Sequence, residues 1–247
     1  MGQTIARRFM SEGAQVVVAG RSIAGLERFS QAHSCGYKVC DVSRKSDIEA
    51  LRDYAIDRHG GLDIAVNGAA TPQYSPFEST TEAEIDEMTS IIFKGGFFFM
   101  QVMVAGLRRG GTIINISSAV ADIMFDHHAA YMGAKAALNH ITRAVAYEYG
   151  RKGIRANILS PGLTLTPMNR EFIRPGVVEA FEREYPLGRI TTVDDVANAA
   201  VFVASDECFM TGQTFHLTGG LTLRRNPSAA EIEESIRIHS GLDMEKP

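Results

Sequence analysis

The chain has 247 residues, 45% of them hydrophobic and 22% charged, a composition that excludes a largely disordered protein. Lys and Arg number 25 against 29 Asp and Glu, and the net charge of −4 argues against nucleic acid or an anionic membrane as partner, since both require a basic surface. Cys35, Cys40 and Cys208 have no metal-ligand spacing and are odd in number, which fits reduced thiols in a cytoplasmic protein. No signal-peptide pattern and no apolar run of bilayer length is read.

Ile5, Ala6, Phe9 and Met10 recur at helical spacing, and Gly13 follows as a stop. Residues 16–19 read as a buried strand ending at Gly20, a helix starts near Ile23, and residues 37–40 form a short strand ending at Asp41. Ile48, Leu51, Ala55 and Ile56 mark a helix closed by Gly60 and Gly61, and residues 62–66 the next strand. A long helix is expected over 82–107, stopped by Gly110 and Gly111 before a strand over 112–116. Helix follows over 129–149, strand over 154–159, helix over 194–204 and a last strand over 213–217. Continuously apolar strands, each followed by a helix, predict a parallel sheet covered on both faces, a doubly wound α/β fold. A single domain is expected over 1–220. The polar stretch 221–247 is a C-terminal extension whose segment 229–239 could form a short helix outside the core.

The stretch from Asn115 to Lys135 carries the chemistry. Tyr131 and Lys135 are four apart on a predicted helix, so they share one face. An ammonium near a phenol favours the phenolate, which makes Tyr131 a candidate acid/base. Ser118 stands at the carboxyl end of a strand, where ligands of open α/β sheets bind.

Ser118, Tyr131 and Lys135 are spaced by thirteen and four positions, and in this the chain closely resembles the short-chain dehydrogenase/reductase family. The likeness extends through the stretch 16–22, the pair Asp41-Val42, the segment 66–70 containing Asn67 and Ala69, and the turn 160–166. It continues through Asp194 to Ala197, Thr211 to Gln213, and Gly219-Gly220. The resemblance implies a Rossmann-like fold and hydride transfer between a nicotinamide cofactor and a secondary alcohol or ketone. It implies that Tyr131 is the general acid/base, that Lys135 lowers its pKa and binds the nicotinamide ribose, and that Ser118 orients the substrate oxygen. Gly2, Arg21, Asp41, Val42, Asn67, Ala69, Pro161, Gly162, Thr164 and Thr166, with Tyr131 and Lys135, are the implied cofactor contacts. No metal site is expected. Arg21, following Gly20 where NAD-preferring relatives carry an acidic residue, favours NADP(H) over NAD(H). The substrate is expected to be a small carbonyl or alcohol compound, with a 3-oxoacyl type as default and Phe172, Phe181 and Tyr185 hinting at an apolar one. A homodimer or homotetramer is expected, assembled through the long helix and the helix carrying Tyr131.

The chain departs from the family pattern at two places. Ile92 stands where the family carries a catalytic Asn, and isoleucine has no group to bind the water that links the lysine to a proton relay. The family also opens with a strand and Thr-Gly-x-x-x-Gly-Ile-Gly, of which only Met1 and Gly2 match the last two positions. The first strand, central in such a sheet, is therefore absent. Either the natural chain begins further upstream, or the two halves of the sheet close up in a new pairing. The alternative to an active enzyme is an impaired relative that serves as a nucleotide-binding or structural subunit.

Overall fold

The computed structural model describes residues 1–240. The alternation read from the sequence is present: α1 (Gly2–Ser11), β1 (Val17–Gly20), α2 (Ile23–His33), β2 (Gly36–Val39), α3 (Lys45–His59) and β3 (Leu62–Asn67). Then come α4 (Glu82–Met88), a π-helical turn (Thr89–Lys94), α5 (Gly95–Gly106), β4 (Leu107–Ile116), α6 (Ala129–Tyr149) and β5 (Arg155–Pro161). α7 (Val177–Glu182), α8 (Val193–Ala204), β6 (Thr214–Leu217) and α9 (Ala229–His239) complete the described chain.

All strand pairs are parallel, but the sheet is in two pieces. Among the described residues β1 pairs only with β2, and β3, β4, β5 and β6 form a second sheet in that order. No ladder joins β1 to β3, so the closing of the two halves in a new pairing is not found. Helices bridge the division instead. On one face Ile5 and Phe9 of α1 pack with Val16, Ile64, Val66, Leu159 and Val196. On the other, Ile48 of α3 packs with Phe99, Met100 and Met103 of α5 and with Ile113. These contacts remove apolar surface from water at ~25 cal/mol per Å², a non-directional force that needs no strand pairing to operate.

Three expectations are corrected. The long helix stops at Gly106, and β4 starts at Leu107, five residues before the expected strand; a bulge between Leu62 and Ile64 absorbs the extra residues, since Leu62 pairs with Leu107 and Ile64 with Thr112. The helical run Glu82–Gly106 is also apolar and long enough to cross a membrane, contrary to the sequence reading. Its Met88, Ile92, Phe99, Met100, Val102 and Met103 are buried inside the fold, which accounts for that composition. Finally, the segment 229–239 does not stay outside the core. Ile232 packs with Phe125, Val177 and Phe181. Gly176, at φ +89° in the left-handed region, lets α7 approach so closely that a Cβ there would strike the backbone of Ser235 and Ile236.

An unpaired strand edge opens more easily than a strand held on both sides. In hydrogen–deuterium exchange, amides of β1 and β2 should exchange at least tenfold faster than those of Ile113–Ile116 and of residues 156–159. Equal protection of both sets would contradict the division of the sheet.

Candidate active site

Tyr131 lies in the first turn of α6 and Lys135 one turn on, both facing inward. Lys135 is 1% exposed, and its Nζ donates to the Ile116 carbonyl at 2.7 Å, at the very end of β4. The ammonium stands 5.7 Å from the centroid of the Tyr131 ring. Burial pushes the Tyr131 phenol up to about 12, with the Ser118 hydroxyl acting in the opposite sense. Burial also pushes Lys135 down to about 8. Desolvation therefore sets the state of the phenol and keeps it protonated at neutral pH. Ser118, Tyr131 and Lys135 are thus brought together as the sequence predicts.

A chain of buried amides supports this end of the sheet. Asn67 Nδ2 donates to Asn115 Oδ1 at 3.0 Å, and Asn115 Nδ2 donates to Thr142 Oγ1 at 2.9 Å. Asn67 Oδ1 accepts from the Ala69 amide, turning the chain out of β3. Asn67 and Ala69 therefore fix the loop after β3, and Asn115 and Thr142 are residues the sequence reading did not single out. Ile92 is buried in the π-helical turn among Met88, Met100 and Leu138. Close approach here depends on Gly96, where a Cβ would stand 2.5 Å from Leu138 Cδ1.

The remaining predicted contacts lie at the same carboxyl ends. Arg21 follows β1, is exposed, and acts electrostatically on Asp41 beyond β2; among the described residues it forms no ion pair. Asp41 Oδ1 accepts from the Ser43 amide and hydroxyl, which lowers the carboxyl's pKa, and Val42 packs on Gly95. Pro161 ends β5. Gly162 has a structural reason of its own, because a Cβ would collide with the Tyr185 hydroxyl, which accepts from the Leu163 amide. Thr164 Oγ1 donates to the Gly162 carbonyl, and Thr166 caps the turn Pro167–Asn169 through Asn169. Gly2 opens α1, where a Cβ would meet nothing within 4 Å, so no crowded backbone cradle encloses an anion there. Two features fit a dinucleotide: the buried Lys135 ammonium has three N–H donors and one protein acceptor, and Arg21 offers an uncommitted guanidinium.

Aromatic rings wall the approach to Tyr131. His128 stands 6.2 Å from the Tyr131 ring, 4.6 Å from Phe125 and 5.3 Å from Tyr74. Phe172 and Phe181 extend this wall toward α7. Burial lowers the His128 pKa, so the imidazole is neutral at pH 7. His127 holds φ at +63°, a left-handed conformation that turns its carbonyl to accept from the Ser75 amide.

A family model described as enoyl-(acyl carrier protein) reductase matches residues 1–222. The chain is 35% identical over 243 residues to 3β-hydroxysteroid dehydrogenase 1 of Eggerthella lenta, covering 90% of each. Among solved structures it resembles a short-chain dehydrogenase/reductase (glucose/ribitol dehydrogenase) of Brucella melitensis, with TM-score 0.85, 28% identity and coverage of 89% of this chain and 91% of that one. It also resembles a 3-ketoacyl-(acyl-carrier-protein) reductase of Brucella melitensis complexed with NADH, with TM-score 0.83, 27% identity and coverage of 90% and 93%. The strand-end serine, the inward tyrosine and the buried lysine thus occur in a chain matched over almost its whole length, and the protein belongs to the short-chain dehydrogenase/reductase family of oxidoreductases acting on CH–OH groups.

Proposed function

We propose that this protein interconverts a secondary alcohol and a ketone by hydride transfer with NAD(P)(H). The observation that carries this reading is the convergence of Ser118, Tyr131 and a fully buried Lys135 at the end of β4. A bound nicotinamide would supply the hydride chemistry, and the chain supplies geometry and the proton. A remaining N–H group of Lys135 would hold a ribose hydroxyl, and Arg21 a 2′-phosphate. Ser118 Oγ donates to the substrate oxygen and fixes its position. Tyr131 gives its phenolic proton to that oxygen as the carbonyl carbon is reduced, and takes it back in the reverse direction. A phenol held near 12 is protonated at pH 7, the form needed to give a proton to a ketone oxygen.

The wall of Tyr74, Phe125, His128, Phe172 and Phe181 supports an apolar substrate, with a 3-oxoacyl compound within that class. Exposed Phe93 and Phe97 on the long helical run, 38% and 45% accessible, support assembly of copies through that face. The three free thiols fit a reducing cytoplasm. A second reading, a nucleotide-binding or structural subunit without turnover, is favoured by the buried Ile92, which has no polar group for a proton relay. A panel of ketones and secondary alcohols with both cofactors separates the two: turnover supports the first reading, and nucleotide binding without turnover the second.

Tyr131→Phe keeps the ring and removes the transferable proton. Its kcat should fall by ~10²-fold or more with cofactor affinity unchanged, as steady-state kinetics and a binding titration would show; a variant keeping most of its rate contradicts the assignment. Arg21→Ala should weaken NADP(H) by roughly 2 kcal/mol, as for a hydrogen bond to a charged group, while NAD(H) binding stays the same. Equal weakening of both in fluorescence titrations would make Arg21 a scaffold residue.

A further inference from the structure

Beneath Lys135 lies a group of polar side chains that the reaction scheme leaves idle. Asn139 is 2% exposed, and among the described residues neither its Nδ2 nor its Oδ1 has a partner. The hydroxyls of Ser117 and Ser160 are equally buried and equally unpartnered. A buried polar group left without a hydrogen bond costs ~1–3 kcal/mol, so three such residues in one place require a common partner.

Their placement puts them together. Ile116 is in register with Leu159, and the Ser117 amide donates to the Leu159 carbonyl, so Ser117 and Ser160 are neighbours on adjacent strands. Side chains alternate along a strand, and Asn115 reaches Thr142 of α6, so Ser117 faces α6 as well. Leu159 packs toward α8, which leaves Ser160 on the α6 face too. On α6, Asn139 falls between Lys135, bonded to Ile116, and Thr142, bonded to Asn115. Three helical residues above Thr142 is a rise of about 4.5 Å, and two strand residues above Asn115 is about 6.6 Å. Asn139 therefore lies close to the level of the two serines, just below the ammonium.

We propose that Asn139, Ser117 and Ser160 hold a buried water beneath Lys135, and that this water accepts a hydrogen bond from the ammonium and keeps it charged during turnover. Asn139 is then a positioning residue acting through Lys135, in a protein whose Ile92 offers no polar side chain to the same lysine. A polar, enclosed site with several free donors and acceptors meets the requirements of an internal water. The surroundings leave the water little competition. Facing Lys135 are Tyr131 from its own helix, with the ring centroid 5.7 Å away, and the Ile116 carbonyl at the end of β4. Tyr131 is the one titratable group in that set, and burial alone accounts for the lowered lysine.

The functional role rests on the oxidoreductase reading, so the test has one arm independent of turnover. A crystal structure of the full chain at a resolution that defines waters should show an ordered water within hydrogen-bond distance of Asn139 and at least one of the two serines. Side chains bonded to one another with no water there would overturn the proposal, whether or not the protein turns over a substrate. In the kinetic arm, Asn139→Leu removes the water's anchor and lowers the lysine pKa further. The basic limb of the kcat profile for ketone reduction should then move to lower pH by about half a unit or more, with KM values within twofold of the parent. Asn139→Ser, short and polar enough to keep a water, should restore the parent profile, and Ser160→Ala repeats the test should Asn139→Leu fail to fold. A water present in the crystal with the pH profile unmoved in these variants would make it structural filling and sink the functional role. Absence of turnover in the parent would remove the oxidoreductase reading while leaving the crystallographic arm to decide the water.

Discussion

Everything at this site depends on one lysine that carries its charge in the protein interior. Among the described residues no carboxylate stands beside the Lys135 ammonium, and its protein partner is the Ile116 oxygen at 2.7 Å. Burying such a charge is unfavourable, and it persists only where the surroundings over-determine its position. Here β4 must end at Ile116 so that its carbonyl is free, α6 must lie against that end, and Gly96 must be bare so that Leu138 can seat beside it. The amide chain through Asn67, Asn115 and Thr142 locks strand and helix one level below. Tyr131 inherits its place from this arrangement, one turn before Lys135 and at the inner mouth of the aromatic wall.

The divided sheet gives the fold a second character. Ser118, Tyr131 and Lys135 belong to the four-stranded piece, whereas Arg21 and Asp41 stand at the ends of the two-stranded piece. What keeps the pieces in one frame is apolar packing by α1 on one face and by α3 and α5 on the other. A ligand reaching from Arg21 to Lys135 would bridge the two and add stability by mass action.

Much of this was legible in the sequence for definite physical reasons. Helical spacing put Tyr131 and Lys135 on one face, and the apolar run before Ser118 marked a buried strand that ends beside them. What escaped depends on contacts distant in sequence. The start of β4 at Leu107 is set by its pairing with Leu62, and no local pattern announces a strand five residues ahead of the apolar run. The docking of α9 depends on Gly176 and on Ile232 meeting Val177 and Phe181, while the polar composition of that segment pointed outward. Asn115 looked like one more strand residue until Asn67 and Thr142 came to it from 48 and 27 positions away. Gly162 was legible as a turn residue, yet the constraint on it is the Tyr185 hydroxyl.

The central claim is that a charged lysine is buried here at the expense of stability, and Lys135→Met tests it without any substrate. The ordinary lysine pKa is 10.5 and the folded one is pushed down to about 8, so the penalty is full below pH 8 and is relieved as pH rises from 8 toward 10.5. Methionine fills the same channel and carries no charge. Equilibrium denaturation of parent and variant across pH 6.5 to 10 should find the variant more stable at neutral pH, by on the order of 3 kcal/mol at most, with the gap closing steadily above pH 8. A variant that is less stable at neutral pH, or a gap that does not change with pH, would contradict the account.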